Sequence, residues 1–183
     1  FNTELAHAFG DSIGKMADEM GVSGWYAPAM NTHRSAFAGR NFEYYSEDPL
    51  LSGNIAAQAV KGAAKHGVYA YIKHFALNDQ ETNRNYQLMT WADEQTVREI
   101  YLHPFEICVK KGGARAVMSA FNHYGITPAY ACDKMLNSIL RNEWGFKGMV
   151  LTDYFGVYGY MNADRAIRNG TDFCLTAIDT GAN

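Results

Sequence analysis

An aspartate closes a short apolar run in Gly148-Met149-Val150-Leu151-Thr152-Asp153-Tyr154-Phe155-Gly156. A buried strand there would deliver one carboxylate, flanked by aromatics, to the rim of a sheet. Ionised and exposed to a ligand, such a carboxylate is a nucleophile. An Asp at a strand end can equally cap the helix that follows, so its neighbours must weigh in. Lys73-His74 stands near the end of a second apolar run, Val68 to Phe75. Adjacent residues on a strand face opposite ways, so both reach one pocket only where the strand ends or bulges. A lone buried His is usually structural. A Lys in an apolar strand is harder to dismiss, because burying an unpaired ammonium is costly. It serves either as a Schiff-base lysine or in a hydrogen-bonding pair for a polar ligand. Arg40, in Gly39-Arg40-Asn41-Phe42-Glu43, and Arg84 supply forked donors, although an exposed arginine is the ordinary alternative for each. An Asp, two Arg, a Lys and a His suit a neutral polyhydroxylated ligand, whose hydroxyls accept from cations and donate to carboxylates. The cations would also keep Asp153 ionised. Asp79 and Glu81 read as solvated loop. No His/Asp/Glu spacing makes a metal site, and no cofactor is implied.

The elements that must position these groups alternate between helical and strand-like spacing. Leu5 to Met20 reads as a helix stopped by Gly21, and Val22 to Met30 as a strand running into a polar loop. Pro49 to His66 reads as a helix with Asp48 as N-cap and Gly67 beyond its end. Strands follow at Val68 to Phe75, Ala114 to Ala120, Gly148 to Thr152 and Thr171 to Leu175. Helices at Asp93 to Lys111, Asp133 to Trp144 and Asn162 to Asn169 separate them. This rhythm predicts parallel β/α units. No Gly-rich phosphate loop follows a strand, which argues against nucleotide binding. Arg40, His74, Asn122 and Asp153 all follow strands, as in a (β/α)8 barrel, whose chemistry sits at the C-terminal strand ends. About five strands are legible, three short of closure. The expected fold is therefore α/β, a TIM-type (β/α)8 barrel present as an incomplete portion.

Composition limits the alternatives. The chain has 183 residues, 48% of them hydrophobic and 19% charged, with a net charge of −3. That is one domain's worth of core. The balance offers no basic footprint for nucleic acid and no polybasic surface for membranes, and no apolar run is long enough for a membrane span. Cys108, Cys132 and Cys174 are widely spaced and odd in number, so buried free thiols are expected. Aromatics make up 14%. Most belong in a core, although aromatic faces beside polar groups also bind sugars.

Taken together, and in order, these segments resemble glycoside hydrolase family 3, in its β-glucosidase-like branch. The resemblance rests on Gly39-Arg40-Asn41-Phe42-Glu43-Tyr44 with Ser46-Glu47-Asp48-Pro49, and on Lys73-His74-Phe75-Ala76-Leu77-Asn78-Asp79-Gln80-Glu81 with Arg84. Arg98-Glu99-Ile100-Tyr101-Leu102, Met118-Ser119-Ala120-Phe121-Asn122, Leu140-Arg141-Asn142-Glu143-Trp144-Gly145-Phe146-Lys147-Gly148 and Thr152-Asp153-Tyr154 continue it over essentially the whole chain. It implies a retaining, exo-acting β-glycosidase, in first place a β-glucosidase, working through a glycosyl-Asp153 intermediate. Arg40, Lys73, His74 and Arg84 would surround the −1 sugar, with Met118, Phe121 and Tyr154 as walls. Phe121 departs from the family's usual tyrosine and Tyr154 from its tryptophan. The implied substrate is an oligosaccharide or an aryl or alkyl β-glycoside. A non-catalytic sugar-binding relative, a β-xylosidase specificity and an unrelated Schiff-base aldolase are the alternatives. The chain is expected to be the C-terminal larger part of the catalytic barrel. An upstream strand region carrying a sugar-binding Asp, and a downstream domain carrying the acid/base, would be partners; Glu43 and Glu47 match loop positions, not that acid. On this reading the isolated chain hydrolyses little. The sequence leaves the compartment open, with the cytoplasm slightly favoured.

Overall fold

A computed structural model of the chain describes residues 1–86, 88–154 and 161–176; Phe155 and Gly156 of the Asp153 motif lie outside them. Helix α1 (Thr3–Glu19) is capped by Asn2 and leads into strand β1 (Gly24–Trp25). A long loop precedes α2 (Pro49–Ala64), whose first turn is closed by Asp48 Oδ1 accepting from the N–H groups of Leu50 and Leu51 at 2.8 and 3.1 Å. Pro49 fits this first turn, where no N–H partner is required. The chain continues through β2 (Tyr69–Phe75), β3 (Met89–Thr90), α3 (Glu94–Thr96), a π-helical stretch Val97–Tyr101 and α4 (His103–Lys110). It ends with β4 (Ala116–Ser119), β5 (His123–Tyr124), β6 (Thr127–Pro128), a second π-helical stretch Lys134–Glu143, β7 (Met149–Tyr154), α5 (Ala163–Arg168) and β8 (Phe173–Leu175).

Five strands form one parallel sheet in the order β1-β2-β4-β7-β8. Each crossover carries helix and the helices pack on one face of the sheet, as in part of the (β/α)8 barrel that the strand rhythm predicts. One face packs on the helices. Ile72, Val117 and Val150 there are fully buried against Ala56, Val60, Phe105, Leu136 and their neighbours. The alternate residues Tyr71, Ala116, Met118 and Leu151 cluster on the other face. Helices α1 and α2 approach closely because they meet on glycines. A Cβ added at Gly10 would lie 2.1 Å from the Ala59 carbonyl oxygen, and one at Gly62 would lie 2.3 Å from that of His7.

Three expectations change. The first strand is two residues long rather than nine. Beyond Trp25 the Ala27 N–H turns back to the Trp25 carbonyl at 2.8 Å instead of joining the ladder, and pairing with β2 resumes only as a bridge between Ala29 and Lys73. The helix expected over Asp93 to Lys111 is interrupted at Leu102. Pro104 cannot donate to a preceding carbonyl, and the Leu102 N–H bonds instead to the Val97 carbonyl at 2.8 Å. A small second sheet, β3-β5-β6, was not legible, because strands of two residues carry no periodicity. Cys108 and Cys132 are buried free thiols as expected, while Cys174 is only half-buried.

Candidate active site

The C-terminal ends of β2, β4 and β7 gather the groups singled out above. Asp153 is the penultimate residue of β7, inside the strand rather than past it, and it is buried. Its Oδ1 accepts from the Tyr154 N–H at 2.8 Å. Its Oδ2 accepts from Arg84 Nη1 at 3.0 Å and lies 3.6 Å from His74 Nε2. Both its oxygens are thus engaged at the strand end.

Lys73 and His74 join one cluster of side chains, through Glu43 and Arg40, because β2 is irregular there. Its register with β4 shifts between Ile72 and Phe75, which breaks the strict alternation of side chains. Asn31 anchors this stretch. Its side-chain N–H donates to the His74 carbonyl at 2.9 Å and its Oδ1 accepts the His74 N–H at 2.8 Å, replacing a ladder pair. The loop from Asn31 to Asp48 is held by further internal bonds. His33 N–H donates to the Ser46 carbonyl, and the His33 ring nitrogen lies 3.1 Å from the carbonyls of Asn41 and Tyr44. The Tyr44 hydroxyl donates to the Asn78 carbonyl at 2.8 Å, tying this loop to the segment after β2.

These ties set Arg40 beside His74, with Nη2 3.4 Å from His74 Nε2. Two carboxylates expected only as loop residues, Glu43 and Glu81, complete the cluster. Glu43 pairs with Arg40 through Oε1 and lies 3.6 Å from Lys73 Nζ through Oε2. Glu81 Oε2 accepts from Arg40 Nη1 at 3.0 Å and from Arg84 Nε at 2.6 Å. Charges thus alternate along Lys73, Glu43, Arg40, Glu81, Arg84 and Asp153. A local signal existed: Glu43 follows Arg40 by three residues and Glu81 precedes Arg84 by three. Asn31 carried no such signal, since its partner lies 43 residues away.

The electrostatics follow from burial. Burial, with the cations Arg40, Lys73 and Arg84, holds His74 well below the ordinary imidazole value, so it is neutral at pH 7. Burial also pushes the Asp153 carboxyl up, against the opposing pull of Arg84, the Tyr154 N–H and Arg40. The cations thus act in the direction expected of them, towards the ionised carboxylate, while desolvation acts against it and is the larger effect.

The remaining predicted residues form the surroundings. Met118 lies on the same sheet face as Tyr71 and Leu151. Phe121 is buried with Tyr130, Ala131, Met161 and Ala166, and its ring lies 4.7 Å from the Arg84 guanidinium carbon. Tyr154 packs against that same cluster from the last position of β7.

Comparison with known proteins identifies what this arrangement is like. The family model described as "Glycosyl hydrolase family 3 N terminal domain" matches residues 1–183. Beta-glucosidase A of Butyrivibrio fibrisolvens is 40% identical over 100% of this chain and 22% of its own length. A beta-glucosidase of Rhizobium radiobacter is 44% identical over 85% of this chain and 19% of its own. The structure of beta-glucosidase 3B from Thermotoga neapolitana in complex with glucose superposes with a TM-score of 0.90 at 45% identity, covering 94% of this chain and 24% of that one. The chain therefore spans about a fifth to a quarter of the length of these relatives.

Proposed function

Because this chain belongs to glycosyl hydrolase family 3, matching its N-terminal domain, we propose that it is the nucleophile-bearing part of a retaining β-glucosidase. The observation that carries the reading is the Asp153 carboxylate at the C-terminal end of β7, held by Arg84 at 3.0 Å with His74 3.6 Å away and Arg40 next to His74. In a retaining mechanism one carboxylate attacks the anomeric carbon as the glycosidic bond breaks. A second carboxyl group protonates the leaving oxygen and later activates water. Asp153 has the position for the first role. Arg84 Nη1 steadies Oδ2 and the Tyr154 N–H steadies Oδ1, which fixes the direction of attack. Arg40, Lys73 and the neutral His74 offer donors to sugar hydroxyls. Charge alternation along the rim spares them the cost of standing as unpaired buried ions.

On this reading residues 1–183 are the larger, C-terminal part of the barrel, and the acid/base carboxyl and an upstream sugar-binding Asp come from elsewhere in the polypeptide. Glucose is the preferred sugar because the relatives named above are called beta-glucosidases; the substrate would be an oligosaccharide or an aryl or alkyl β-glucoside. The test is to treat the full-length polypeptide containing this chain with a 2-deoxy-2-fluoro-glucoside and map the adduct by peptide mass spectrometry. A glycosyl adduct on Asp153 is expected. Binding of the sugar without any adduct would point instead to a non-catalytic sugar-binding relative.

A further inference from the structure

Glu81 occupies an unusual place in the cluster. One oxygen, Oε2, accepts from Arg40 Nη1 at 3.0 Å and from Arg84 Nε at 2.6 Å. The other end of the Arg84 guanidinium donates to Asp153 Oδ2 at 3.0 Å. Glu81 is thus one guanidinium away from the nucleophile, and it shares its charge between the two arginines of the site. Its backbone adds to the fit. The Glu81 N–H donates to the Ala38 carbonyl at 2.8 Å, and the Arg84 N–H donates to the Glu81 carbonyl at 3.2 Å. Gly39, between Ala38 and Arg40, has φ of 86°, and a Cβ there would meet the Glu81 Cβ at 3.1 Å. The loop before Arg40 therefore closes directly on Glu81. Half of the Glu81 side chain is nevertheless exposed, at 52%. An ion pair so exposed adds little to stability, so its geometry is better explained by what it does to the arginines.

We propose that Glu81 is a positioning residue for the nucleophile: it aims Arg84 at Asp153 and, by neutralising part of the charge of Arg84 and Arg40, sets how readily Asp153 ionises. This deepens the functional reading above and rests on it. Replacing the carboxylate by an amide of the same shape leaves both guanidiniums without their shared counter-ion. The surplus positive charge then acts on Asp153 at close range. It stabilises the ionised carboxylate, which lowers its proton affinity and weakens it as a nucleophile.

The experiment compares wild type, Glu81→Gln and Glu81→Asp in the full-length polypeptide, with Glu94→Gln as a control at an exposed carboxylate outside the site. The readouts are the pH profile of kcat/KM on an aryl β-glucoside, the melting temperature, and the pH dependence of calorimetric binding of deoxynojirimycin, a cationic iminosugar. For Glu81→Gln the acidic limb of both profiles should move down by about one pH unit. Its kcat should fall about tenfold or more with KM changed less, and its melting temperature should stay close to wild type. Glu81→Asp should restore the wild-type limb in part, and Glu94→Gln should move nothing. Unaltered pH profiles in Glu81→Gln, or a loss of activity that merely tracks a loss of thermal stability, would overturn the positioning role while leaving the functional reading intact. A wild type that neither turns over the glucoside nor binds the iminosugar would overturn that reading and the inference together.

Discussion

The helix-facing side of the sheet and its C-terminal rim are built from the same strands and follow opposite rules. On the helix side Ile72, Val117 and Val150 are fully buried among apolar neighbours. On the rim, Lys73 and His74 follow Ile72 directly, and Asp153 comes three residues after Val150. The first region is close-packed and tolerates neither added volume nor charge. The second keeps three cations and three carboxylates within reach of one another, at a cost in desolvation that a wholly apolar rim would avoid. Stability and chemistry are therefore separable along a single strand, and single substitutions should resolve them.

The largest expected effect lies on the rim. Asp153→Asn in the full-length polypeptide should lower kcat/KM on an aryl β-glucoside by about 10⁴-fold or more, since an amide is no nucleophile, while cooperative unfolding is retained. Activity within tenfold of wild type would remove Asp153 from the reaction. The counterpart on the helix side is Gly10→Ala. Its Cβ would collide with the Ala59 carbonyl oxygen at 2.1 Å, and the helices must separate to admit it. A loss of about 2–3 kcal/mol is expected, seen as a lower urea midpoint, with kcat per folded molecule unchanged. A changed kcat would show that the two regions are coupled.

Asp79 tests the cost of charge near the rim. Burial pushes its carboxyl up to about 7. A carboxyl that ionises less readily in the fold than in the unfolded chain favours folding at low pH and costs stability as the pH rises from about 4 through 7. Asp79→Asn should accordingly stabilise the protein above pH 7, by about 4 kcal/mol at the upper bound. The gain should fade to nothing near pH 4. Melting temperatures across that range check it, and a gain that does not depend on pH would exclude ionisation as its cause. The smallest effect belongs to the surface. Arg98 pairs with Glu94 and Glu143 at 2.9 and 2.7 Å, on well-exposed side chains. Arg98→Ala should change stability by less than about 1 kcal/mol, and salt should mask even that.

Much of the frame is legible in the sequence. Asp48 and Pro49 announce the start of α2, and Gly21 the end of α1, because a cap needs only the residues one turn away. The five parallel strands follow from apolar runs separated by helical spacing. The first strand is shorter than its apolar pattern suggests, because the Ala27 N–H turns back to the Trp25 carbonyl and leaves the ladder. The break at Leu102 likewise depends on how the chain re-pairs around Pro104.

Residue types and short spacings are enough for the element order, the parallel β/α class, the family likeness and the choice of Asp153, Lys73, His74, Arg40 and Arg84 as the groups that carry chemistry. How the groups share charge depends on long-range contacts. Arg40 meets Glu81 across 41 residues of chain and Arg84 meets Asp153 across 69. No local rule spans such separations. Nor could spacing tell that burial would raise the Asp153 carboxyl against its cations, or that Glu81, read as solvated loop, would stand between both arginines. Desolvation and ion pairing are set by what the fold places nearby.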